Sequence, residues 1–223
     1  MHTFSNVIQP AFEEVFEKDY PLKGNWSKSF FKNEKPITLE LGCGKGEYTV
    51  GLAQRYPEQN FIGIDIKGSR IWSGAGKALK YKVTNVCFLR TRIELINSFF
   101  AAGEINEIWI TFPDPQLSKP RKRLTSSRFL NLYKNFLDKE GWINLKTDSP
   151  ELYEYTLAIA IHNKLEVNFM SEDLYLAQDI DDILCIKTYY EQMWLEDGLK
   201  IKYIRFKLSE NAAIEEPPEQ EGN

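Results

Sequence analysis

The chain of 223 residues is long enough to bury a substantial core, and 43% of its residues are hydrophobic. It has 28 basic and 32 acidic residues, which give a formal net charge of -4. The segment 211–223 contains four glutamates and neither Lys nor Arg, so the remainder of the chain is neutral. The overall charge therefore neither indicates nor excludes a nucleic-acid partner, and local clusters of charge must be considered instead.

Cysteine content and hydropathy argue against several classes of protein. The three cysteines, Cys43, Cys87 and Cys185, are far apart and form no CxxC pair, which argues against a zinc site and against a disulfide framework. The N-terminal residues include acids where a signal peptide has cations, and no apolar run is long enough to span a membrane. The sequence therefore predicts a soluble, cytoplasmic protein that binds no metal and no membrane.

Residues 1–35 are predicted to form an N-terminal arm, residues 36–210 the main domain and residues 211–223 a disordered acidic tail. In the main domain, short apolar runs alternate with helical patterns, which is typical of an α/β fold with a mostly parallel sheet. The predicted strands are residues 37–41, 60–66, 85–89, 107–112, 141–147, 166–170 and 201–208. The predicted helices are residues 47–56, 69–81, 126–137 and 149–164, the last with Ser149 as N-cap and Pro150 in its first turn. In the final predicted strand, Ile201, Tyr203, Arg205 and Lys207 alternate with Lys202, Ile204, Phe206 and Leu208. This pattern predicts a half-exposed antiparallel strand near one edge of the sheet.

The sequence LELGCGKG, residues 39–46, ends the first predicted strand and leads into the first predicted helix. Gly42, Gly44 and Gly46 allow the chain to turn sharply and allow a ligand to approach the backbone of this glycine loop. A dinucleotide-binding loop would have its third glycine where this chain has Glu47. A P-loop would need Ser or Thr where this chain has Gly46. The loop therefore favours a ligand without phosphates.

Two carboxylates accompany the glycine loop. Glu40 precedes Gly42 at a position where it would repel a phosphate but attract a cation. Asp65 ends the second predicted strand, 23 residues after Gly42, where an acid can accept hydrogen bonds from ribose hydroxyls. S-adenosylmethionine, whose sulfonium and ammonium groups are cationic, fits both features. An ordinary tight turn beside an unrelated acid, and an NAD-type site, are the alternatives.

The sequence TFPDPQLSKPRKRLTSSR, residues 111–128, places Asp114 between two prolines and ahead of a basic run with no other acid. The cations of the basic run are Lys119, Arg121, Lys122, Arg123 and Arg128. Ligands of open α/β sheets bind at the carboxyl ends of strands, so the Asp114 loop (residues 112–118) and the glycine loop should flank one crevice. Asp114 could accept hydrogen bonds from the N–H edge of a base, and the cations could bind nucleic-acid phosphates. A simple turn at Asp114 and a solvated charged loop are the alternatives.

Five segments together resemble the tRNA (guanine-N7)-methyltransferases of the bacterial type. They are LELGCGKG, GIDI, LKTD, TYYEQ, and TFPDP together with the basic residues after it that end in KRLT. The similarity extends over residues 37–208. The resemblance implies a Rossmann-like α/β fold with a mostly parallel sheet of seven strands and helices on both faces. It also implies S-adenosylmethionine as the cofactor and methylation of N7 of a guanosine in the variable loop of tRNA.

The resemblance also assigns roles to individual residues. Asp114 would be the catalytic residue and would lie where the cofactor and the guanine meet. The other cofactor contacts would be Glu40, Gly42, Gly44, Gly46, Asp65 and Arg92. The tRNA contacts would be Ser118, Lys119, Arg121, Arg123, Asp148, Thr188, Tyr189, Tyr190 and Glu191, with Asp148 and the last four in the guanosine pocket.

Two positions depart from the pattern of the family. The lysine expected four residues after Asp114 is Ser118 here, so either Ser118 or Lys119 would take its role. The acid that contacts adenine near the end of the third strand is replaced by Arg92, and a backbone contact at residues 91–93 is the alternative.

Guanine N7 has a lone pair and no proton, so its methylation needs no general base, and His2 and His162 both lie outside the motifs. Catalysis is expected to rest on alignment of the methyl group, the sulfur and N7, which can supply about 7–11 kcal/mol in well-oriented systems. The alternatives are a methyltransferase for another nucleobase or a small molecule, and an RNA-binding subunit without catalytic activity. The expected partner is tRNA, and the expected assembly is a monomer or a homodimer.

Overall fold

The computed structural model describes residues 4–177, 182–209 and 212–218. The strands in these residues are β1 (Val7–Ile8), β2 (Ile37–Leu41), β3 (Asn60–Asp65), β4 (Val86–Arg90), β5 (Ile105–Thr111), β6 (Leu137–Thr147), β7 (Val167–Ser171) and β8 (Lys202–Phe206). The α-helices are α1 (Phe12–Val15), α2 (Glu47–Arg55), α3 (Gly68–Lys80), α4 (Ser127–Tyr133), α5 (Pro150–His162) and α6 (Tyr189–Glu196). A π-helix (Trp26–Phe31) and short 3-10 helices at Ile93–Ser98, Pro120–Lys122, Leu174–Leu176 and Asp182–Cys185 complete these elements.

The strands form one sheet in the spatial order β1-β4-β3-β2-β5-β6-β8-β7. Strands β1 to β6 pair in parallel, and β8 pairs antiparallel with both β6 and β7. The antiparallel strand therefore lies next to the edge, as its sequence predicts. It is not half-exposed as predicted, because Tyr203, Ile204 and Phe206 are all buried. Leu41 of β2 lies opposite Ile64 of β3 and Ile110 of β5, so these three strands end at the same edge of the sheet.

Two clusters of buried apolar side chains cover the two faces of the sheet. One contains Leu39 of β2, Leu130 of α4 and Leu152 of α5. The other contains Trp109 of β5 and Tyr48 of α2. Burial of each such side chain stabilises the fold by about 1.5–3 kcal/mol. Helices therefore pack on both faces of a mostly parallel sheet, which confirms the predicted Rossmann-like α/β fold.

The predicted number of seven strands is wrong, because the described residues form eight. The additional strand is β1, in which Val7 and Ile8 lie opposite Phe88 and Leu89 of β4. A strand of two residues is too short to show a repeating pattern of apolar residues, so the sequence did not indicate it.

Helix α4 ends at Tyr133, before the predicted end at residue 137. The chain turns at residues 134–136, and the Ile105 N–H donates a hydrogen bond to the Phe136 carbonyl at 3.1 Å. This contact with β5 begins the long strand β6, so Leu137 belongs to the sheet. Helix α5 begins as predicted, since the Ser149 hydroxyl accepts a hydrogen bond from the Leu152 N–H at 3.2 Å.

Residues 4–35, which the sequence predicts to form an N-terminal arm, pack against the main domain through buried side chains and hydrogen bonds. Trp26 is fully buried, and its Nε1–H donates a hydrogen bond to the Phe99 carbonyl at 2.8 Å. The Glu104 carboxylate accepts hydrogen bonds from the N–H groups of Gly24 at 2.7 Å and Trp26 at 3.1 Å. The buried apolar side chains of this segment, Val15 and Trp26, are therefore part of the core of the domain.

Residues 212–218, the C-terminal segment, also pack against the domain, whereas the sequence predicts a disordered tail. Ile214 is 3% exposed, and its carbonyl and N–H bond to the Asn131 side chain of α4 at 2.8 and 2.9 Å. The backbone of Glu215 makes the same pair of bonds with the Asn163 side chain after α5, each at 2.8 Å. Two amide side chains therefore hold a segment whose polar composition gives no sign of packing.

His2, and the parts of the predicted arm and tail at residues 1–3, 211 and 219–223, lie outside the described residues. Among the helices that the structure describes, none is long and apolar enough to cross a membrane. The described part of the chain also contains no group of three or more His, Cys, Asp or Glu side chains that could hold a metal ion.

Candidate active site

A cavity of about 490 Å³, the central cavity, lies where β2, β3, β4 and β5 end. The glycine loop contributes Gly42 to its lining, and the end of β3 contributes Asp65. Thr91 and Arg92 follow β4, and Asp114 follows β5. The volume is within the range of about 300–1,000 Å³ that small-molecule sites occupy. The structure thus brings the glycine loop and the Asp114 loop together, as their positions after parallel strands predict.

A larger cavity of about 750 Å³, the N-terminal cavity, adjoins the central cavity and shares Thr91 and Arg92 with it. Its other walls include Gln9, Pro10 and Phe12 of the N-terminal segment. It contains neither the glycine loop nor Asp114. Because ligands of this fold bind at the loops that follow the central strands, we place the candidate site in the central cavity.

The glycine loop has a backbone conformation that other residues adopt only with strain. Gly42, Gly44 and Gly46 have φ angles of 74°, 54° and 66°, all in the left-handed region. A Cβ atom at Gly46 would overlap the ring of Phe88, which is fully buried. A Cβ atom at Gly42 or Gly44 would meet nothing within 4 Å. Gly46 is therefore needed for packing, whereas Gly42 and Gly44 leave open space in which a ligand can contact the backbone.

Asp65 connects the end of β3 to the glycine loop. One carboxylate oxygen accepts a hydrogen bond from the Gly44 N–H at 3.0 Å, and the other accepts one from the Lys67 N–H at 2.7 Å. The residue is 8% exposed and lines the central cavity. Each carboxylate oxygen can accept a further hydrogen bond. Asp65 can therefore bind a ligand hydroxyl while it holds the loop in place.

Glu40 is buried next to the glycine loop, where it joins β2, α2 and β5. One of its oxygens accepts a hydrogen bond from the Thr111 hydroxyl at 2.6 Å. The other accepts hydrogen bonds from the hydroxyl of Thr49 and from its N–H, the latter at 2.8 Å. Burial raises the pKa of Glu40 to about 7, although the hydrogen bonds from both threonines oppose this shift. Glu40 also lines a small cavity of about 90 Å³ together with Thr188 and Tyr190, so it both supports the loop and borders the crevice.

Asp114 is exposed in a loop that contains two strained backbone positions. Phe112 and Gln116 have φ angles of 49° and 48°, which non-glycine residues rarely adopt. The Asp114 carboxylate accepts a hydrogen bond from the Gln116 N–H at 3.0 Å, as the simple-turn alternative expects. Asp114 also lines the central cavity, which a turn alone does not require. Strained residues persist only where the surrounding structure holds them, and they cluster at functional sites.

The basic run contains both exposed and buried side chains. The exposed members are Lys119, Arg121, Lys122 and Arg128, and Ser118 is exposed beside them. Arg123 is 7% exposed, and its Nε–H donates a hydrogen bond to the Pro115 carbonyl at 2.9 Å. The Arg123 Nε–H therefore bonds within the protein, and the predicted contact of Arg123 with tRNA stays a prediction.

The TYYE segment begins α6 with a capping box. The Thr188 hydroxyl accepts a hydrogen bond from the Glu191 N–H at 3.2 Å, and the Glu191 carboxylate accepts one from the Thr188 N–H at 3.3 Å. Glu191 is fully buried, with one oxygen 2.7 Å from Lys146 Nζ and 2.5 Å from the Tyr175 hydroxyl. The Glu191 carboxylate is therefore enclosed by protein groups, and its predicted contact with the guanosine stays a prediction.

Lys146 anchors this region, and sequence reasoning missed it. Its Nζ donates hydrogen bonds to the carbonyls of Leu184 at 2.9 Å and Ile186 at 3.3 Å, in addition to its pairing with Glu191. These bonds tie the segment before α6 to strand β6. A lysine within the apolar run of a central strand is the signal that could have identified it, since lysine is rarely buried without a partner.

The remaining predicted substrate contacts divide into two groups. Thr188 and Tyr190 line the small cavity beside the glycine loop. Tyr189 is exposed, and its N–H donates a hydrogen bond to the Glu47 carboxylate at 3.0 Å. Asp148 follows β6 and is not among the residues that line the central cavity, and burial raises its pKa. The structure therefore brings Thr188 and Tyr190 to the glycine loop, whereas Asp148 lines neither the central cavity nor the small cavity.

A mostly parallel sheet with a glycine loop after β2 and an acid at the end of β3 is an architecture that S-adenosylmethionine-dependent methyltransferases have. A family described as putative methyltransferase matches residues 34–204. Among solved structures, the 16S rRNA methyltransferase KamB has a similar fold, with a TM-score of 0.64 at 14% sequence identity. The similarity covers 86% of this chain and 95% of that chain.

Two relatives are similar in sequence over almost the whole chain. The tRNA (guanine-N(7)-)-methyltransferase of Porphyromonas gingivalis is 56% identical over 213 residues, which are 94% of this chain and 87% of the relative. The tRNA (guanine-N(7)-)-methyltransferase of Bacteroides thetaiotaomicron is 51% identical over 217 residues, or 97% of this chain and 86% of the relative. The chain belongs to the tRNA (guanine-N(7)-)-methyltransferase family.

The raised pKa of Glu40 predicts that stability depends on pH. The folded protein holds the Glu40 proton more tightly than the unfolded chain does, because burial disfavours the charged carboxylate. Relative to Glu40→Gln, the wild-type free energy of unfolding should fall by about 3 kcal/mol as the pH rises from about 4.5 to about 7. Urea unfolding of both proteins across this range measures the difference. A difference that stays constant with pH would contradict the raised pKa.

The buried pair of Lys146 and Glu191 predicts a large loss of stability when one partner is removed. Glu191→Gln leaves the Lys146 ammonium buried without a counter-charge, so the free energy of unfolding should fall by about 3–5 kcal/mol. Glu196→Gln, at an exposed position on the same helix, is the matched control and should change it by less than about 0.5 kcal/mol. Denaturant unfolding followed by circular dichroism measures both. Equal effects of the two substitutions would exclude the anchoring role of the pair.

Proposed function

We propose that this protein methylates N7 of a guanosine in the variable loop of tRNA, with S-adenosylmethionine as the methyl donor. The observation that carries the proposal is that one cavity contains both Gly42 of the glycine loop and Asp114 of the loop after β5. Membership of the tRNA (guanine-N(7)-)-methyltransferase family supports both the reaction and the substrate. An enzyme with this substrate would act in the cytoplasm, with tRNA as its partner.

The residues around the central cavity fit S-adenosylmethionine. The open space at Gly42 and Gly44 leaves room for a ligand beside the backbone. Asp65 offers carboxylate oxygens to the ribose hydroxyls, and Arg92 with the backbone of residues 91–93 is our candidate contact for adenine. When bound, S-adenosylmethionine supplies an electrophilic methyl group on a positively charged sulfur.

The residues of the chain orient the reactants, and none of them has to remove a proton. Guanine N7 forms the new N–C bond with its lone pair while the C–S bond breaks, so no proton is transferred. The base becomes positively charged, and the Asp114 carboxylate would stabilise this charge as it develops. Asp114 would also accept a hydrogen bond from the N–H edge of the guanine, which restricts the base to an orientation in line with the methyl group.

We assign the tRNA backbone to the exposed part of the basic run. Pro120–Lys122 forms a turn, and Lys122 lines the central cavity together with Asp114. Arg121 and either Ser118 or Lys119 would contact the phosphates next to the target nucleotide. The guanosine side of the site would comprise Asp148, Thr188, Tyr189 and Tyr190. The aromatic rings of the two tyrosines are exposed and can stack on an unpaired base.

The direct test is incubation of the purified protein with S-adenosylmethionine and an unmodified tRNA transcript, followed by digestion and mass spectrometry of the nucleosides. We expect 7-methylguanosine from this transcript and none when the variable-loop guanosine is replaced by adenosine. A different methylated nucleoside would contradict the proposed reaction. Methylation that persists in the adenosine transcript would contradict the proposed position.

Asp114→Asn and Asp114→Ala should each lower the rate of methyl transfer by at least about 100-fold, because both remove the charge that faces the reacting base. The asparagine variant can keep the hydrogen bond from the Gln116 N–H, so it separates the charge from the shape of the loop. The affinity for S-adenosylmethionine should stay within a few fold of wild type, since Asp65 and the glycine loop are retained. Single-turnover kinetics and titration calorimetry measure the two quantities.

Glu58→Gln, at an exposed position before β3, is the control for these two variants and should leave the rate unchanged. Wild-type turnover by Asp114→Ala would remove Asp114 from the mechanism. A loss of cofactor binding that matches the loss of rate would assign Asp114 to the cofactor alone.

A further inference from the structure

Arg123 differs from the other cations of the basic run, all of which the structure describes, because it alone is buried. Its Nε–H donates a hydrogen bond to the carbonyl of Pro115, the residue directly after Asp114. Its guanidinium lies 4.4 Å from the ring centroid of Tyr155 in α5, within the range of a cation–π interaction. Arg123 therefore connects the Asp114 loop to helix α5.

The C-terminal segment completes this connection on the other side of Tyr155. The Tyr155 hydroxyl donates a hydrogen bond to one oxygen of the Glu216 carboxylate at 2.7 Å. The other oxygen of Glu216 accepts a hydrogen bond from the N–H of Ser127 in α4 at 3.0 Å. A continuous series of contacts therefore links the C-terminal segment, through Tyr155 and Arg123, to the Pro115 carbonyl beside Asp114.

The C-terminal segment is also held independently of the Glu216 charge. The side chains of Asn131 and Asn163 each make two hydrogen bonds with its backbone, and the Ile214 side chain is buried. Replacement of Glu216 by glutamine should therefore leave the segment docked. The glutamine oxygen can keep the hydrogen bond from the Ser127 N–H, and the contact with Tyr155 changes.

The position of Pro115 explains why this contact matters for the loop. Phe112 and Gln116, on the two sides of Asp114, both have strained backbone conformations that the surroundings must hold. Proline has no N–H, so its carbonyl is the only backbone group of Pro115 that can form a hydrogen bond. Arg123 therefore holds the loop at a point between the two strained residues.

We propose that Arg123 is a positioning residue that holds Asp114 through the Pro115 carbonyl, and that Glu216 and Tyr155 hold Arg123. The C-terminal segment, through these contacts, becomes part of the structure that determines the geometry of methyl transfer. The proposal rests on the proposed function, because it takes Asp114 as the group to be positioned. It replaces the role of a phosphate contact that the sequence predicts for Arg123.

Steady-state kinetics distinguish positioning from phosphate binding. Arg123→Lys keeps the charge but loses the planar guanidinium, and should lower kcat by about 10- to 100-fold, as small misplacements of catalytic groups do. Its KM for tRNA, and the dependence of that KM on salt, should match wild type. Arg121→Ala should show the opposite pattern, with a higher KM and a salt dependence reduced by about 0.7–0.9 in slope for one lost phosphate contact.

Variants of the outer contacts test the rest of the connection. Tyr155→Phe and Glu216→Gln each weaken one hydrogen bond and should lower kcat by about two- to tenfold, with KM for tRNA unchanged. Glu154→Gln, at the exposed position beside Tyr155, is the matched control for Glu216→Gln and should keep the wild-type kcat.

Hydrogen exchange followed by mass spectrometry tests the positioning claim without cofactor or tRNA. Peptides that cover residues 112–119 should exchange faster in Arg123→Lys and Glu216→Gln than in wild type or Glu154→Gln. If the wild-type protein methylates no tRNA, the proposed function fails, while the exchange rates still decide whether Arg123 and Glu216 hold the loop.

A raised KM with a reduced salt dependence and a wild-type kcat in Arg123→Lys would overturn the proposal and make Arg123 a phosphate contact. Unchanged exchange of residues 112–119 in Arg123→Lys would overturn it as well. If Arg123→Lys does not fold, Tyr155→Phe and Glu216→Gln decide, and wild-type exchange and kcat in both would overturn the proposal.

Discussion

Leu41 of β2 and Ile110 of β5 lie opposite each other in a parallel pair, so both strands end at one edge of the sheet. Strands β3 and β4 continue the sheet on one side of this pair and β6 on the other. The connections from the two strands therefore diverge, and a crevice forms between the loops that follow them. Glu40 joins the two strands next to this crevice through its hydrogen bond from Thr111. The positions of the glycine loop and of Asp114 depend on this pairing.

Two groups of charged side chains hold the walls of the crevice. Lys146 and Glu191 tie the start of α6 to β6, and Arg123 with Glu216 ties the Asp114 loop to α4 and α5. Lys146 and Glu191 are both fully buried, so displacement of either one leaves the other charge without compensation, which is strongly unfavourable. These contacts therefore favour one arrangement of the walls. Charged residues in the motifs of this chain thus hold the segments around the site in place, in addition to the contacts that they can offer to ligands.

The part of the site that follows from strand order could be predicted from the sequence. The glycine loop follows β2, Asp65 is the last residue of β3 and Asp114 lies in the loop after β5, and the ends of parallel strands share one edge. Whether a charged side chain faces inward depends on partners that are distant in the sequence. Arg123 is buried beside Tyr155 of α5, and Glu191 is buried beside a lysine of β6 that neutralises it. The two-residue strand β1 and the C-terminal segment likewise depend on distant partners, so local patterns did not reveal them.

A crystal structure of the protein with bound S-adenosylhomocysteine would test most directly whether the glycine loop and the Asp114 loop form one site. We expect the ligand in the central cavity, with its ribose hydroxyls on Asp65 and its sulfur between Gly42 and Asp114. A ligand in the N-terminal cavity beside Phe12, or a sulfur atom remote from Asp114, would contradict the assignment of the active site.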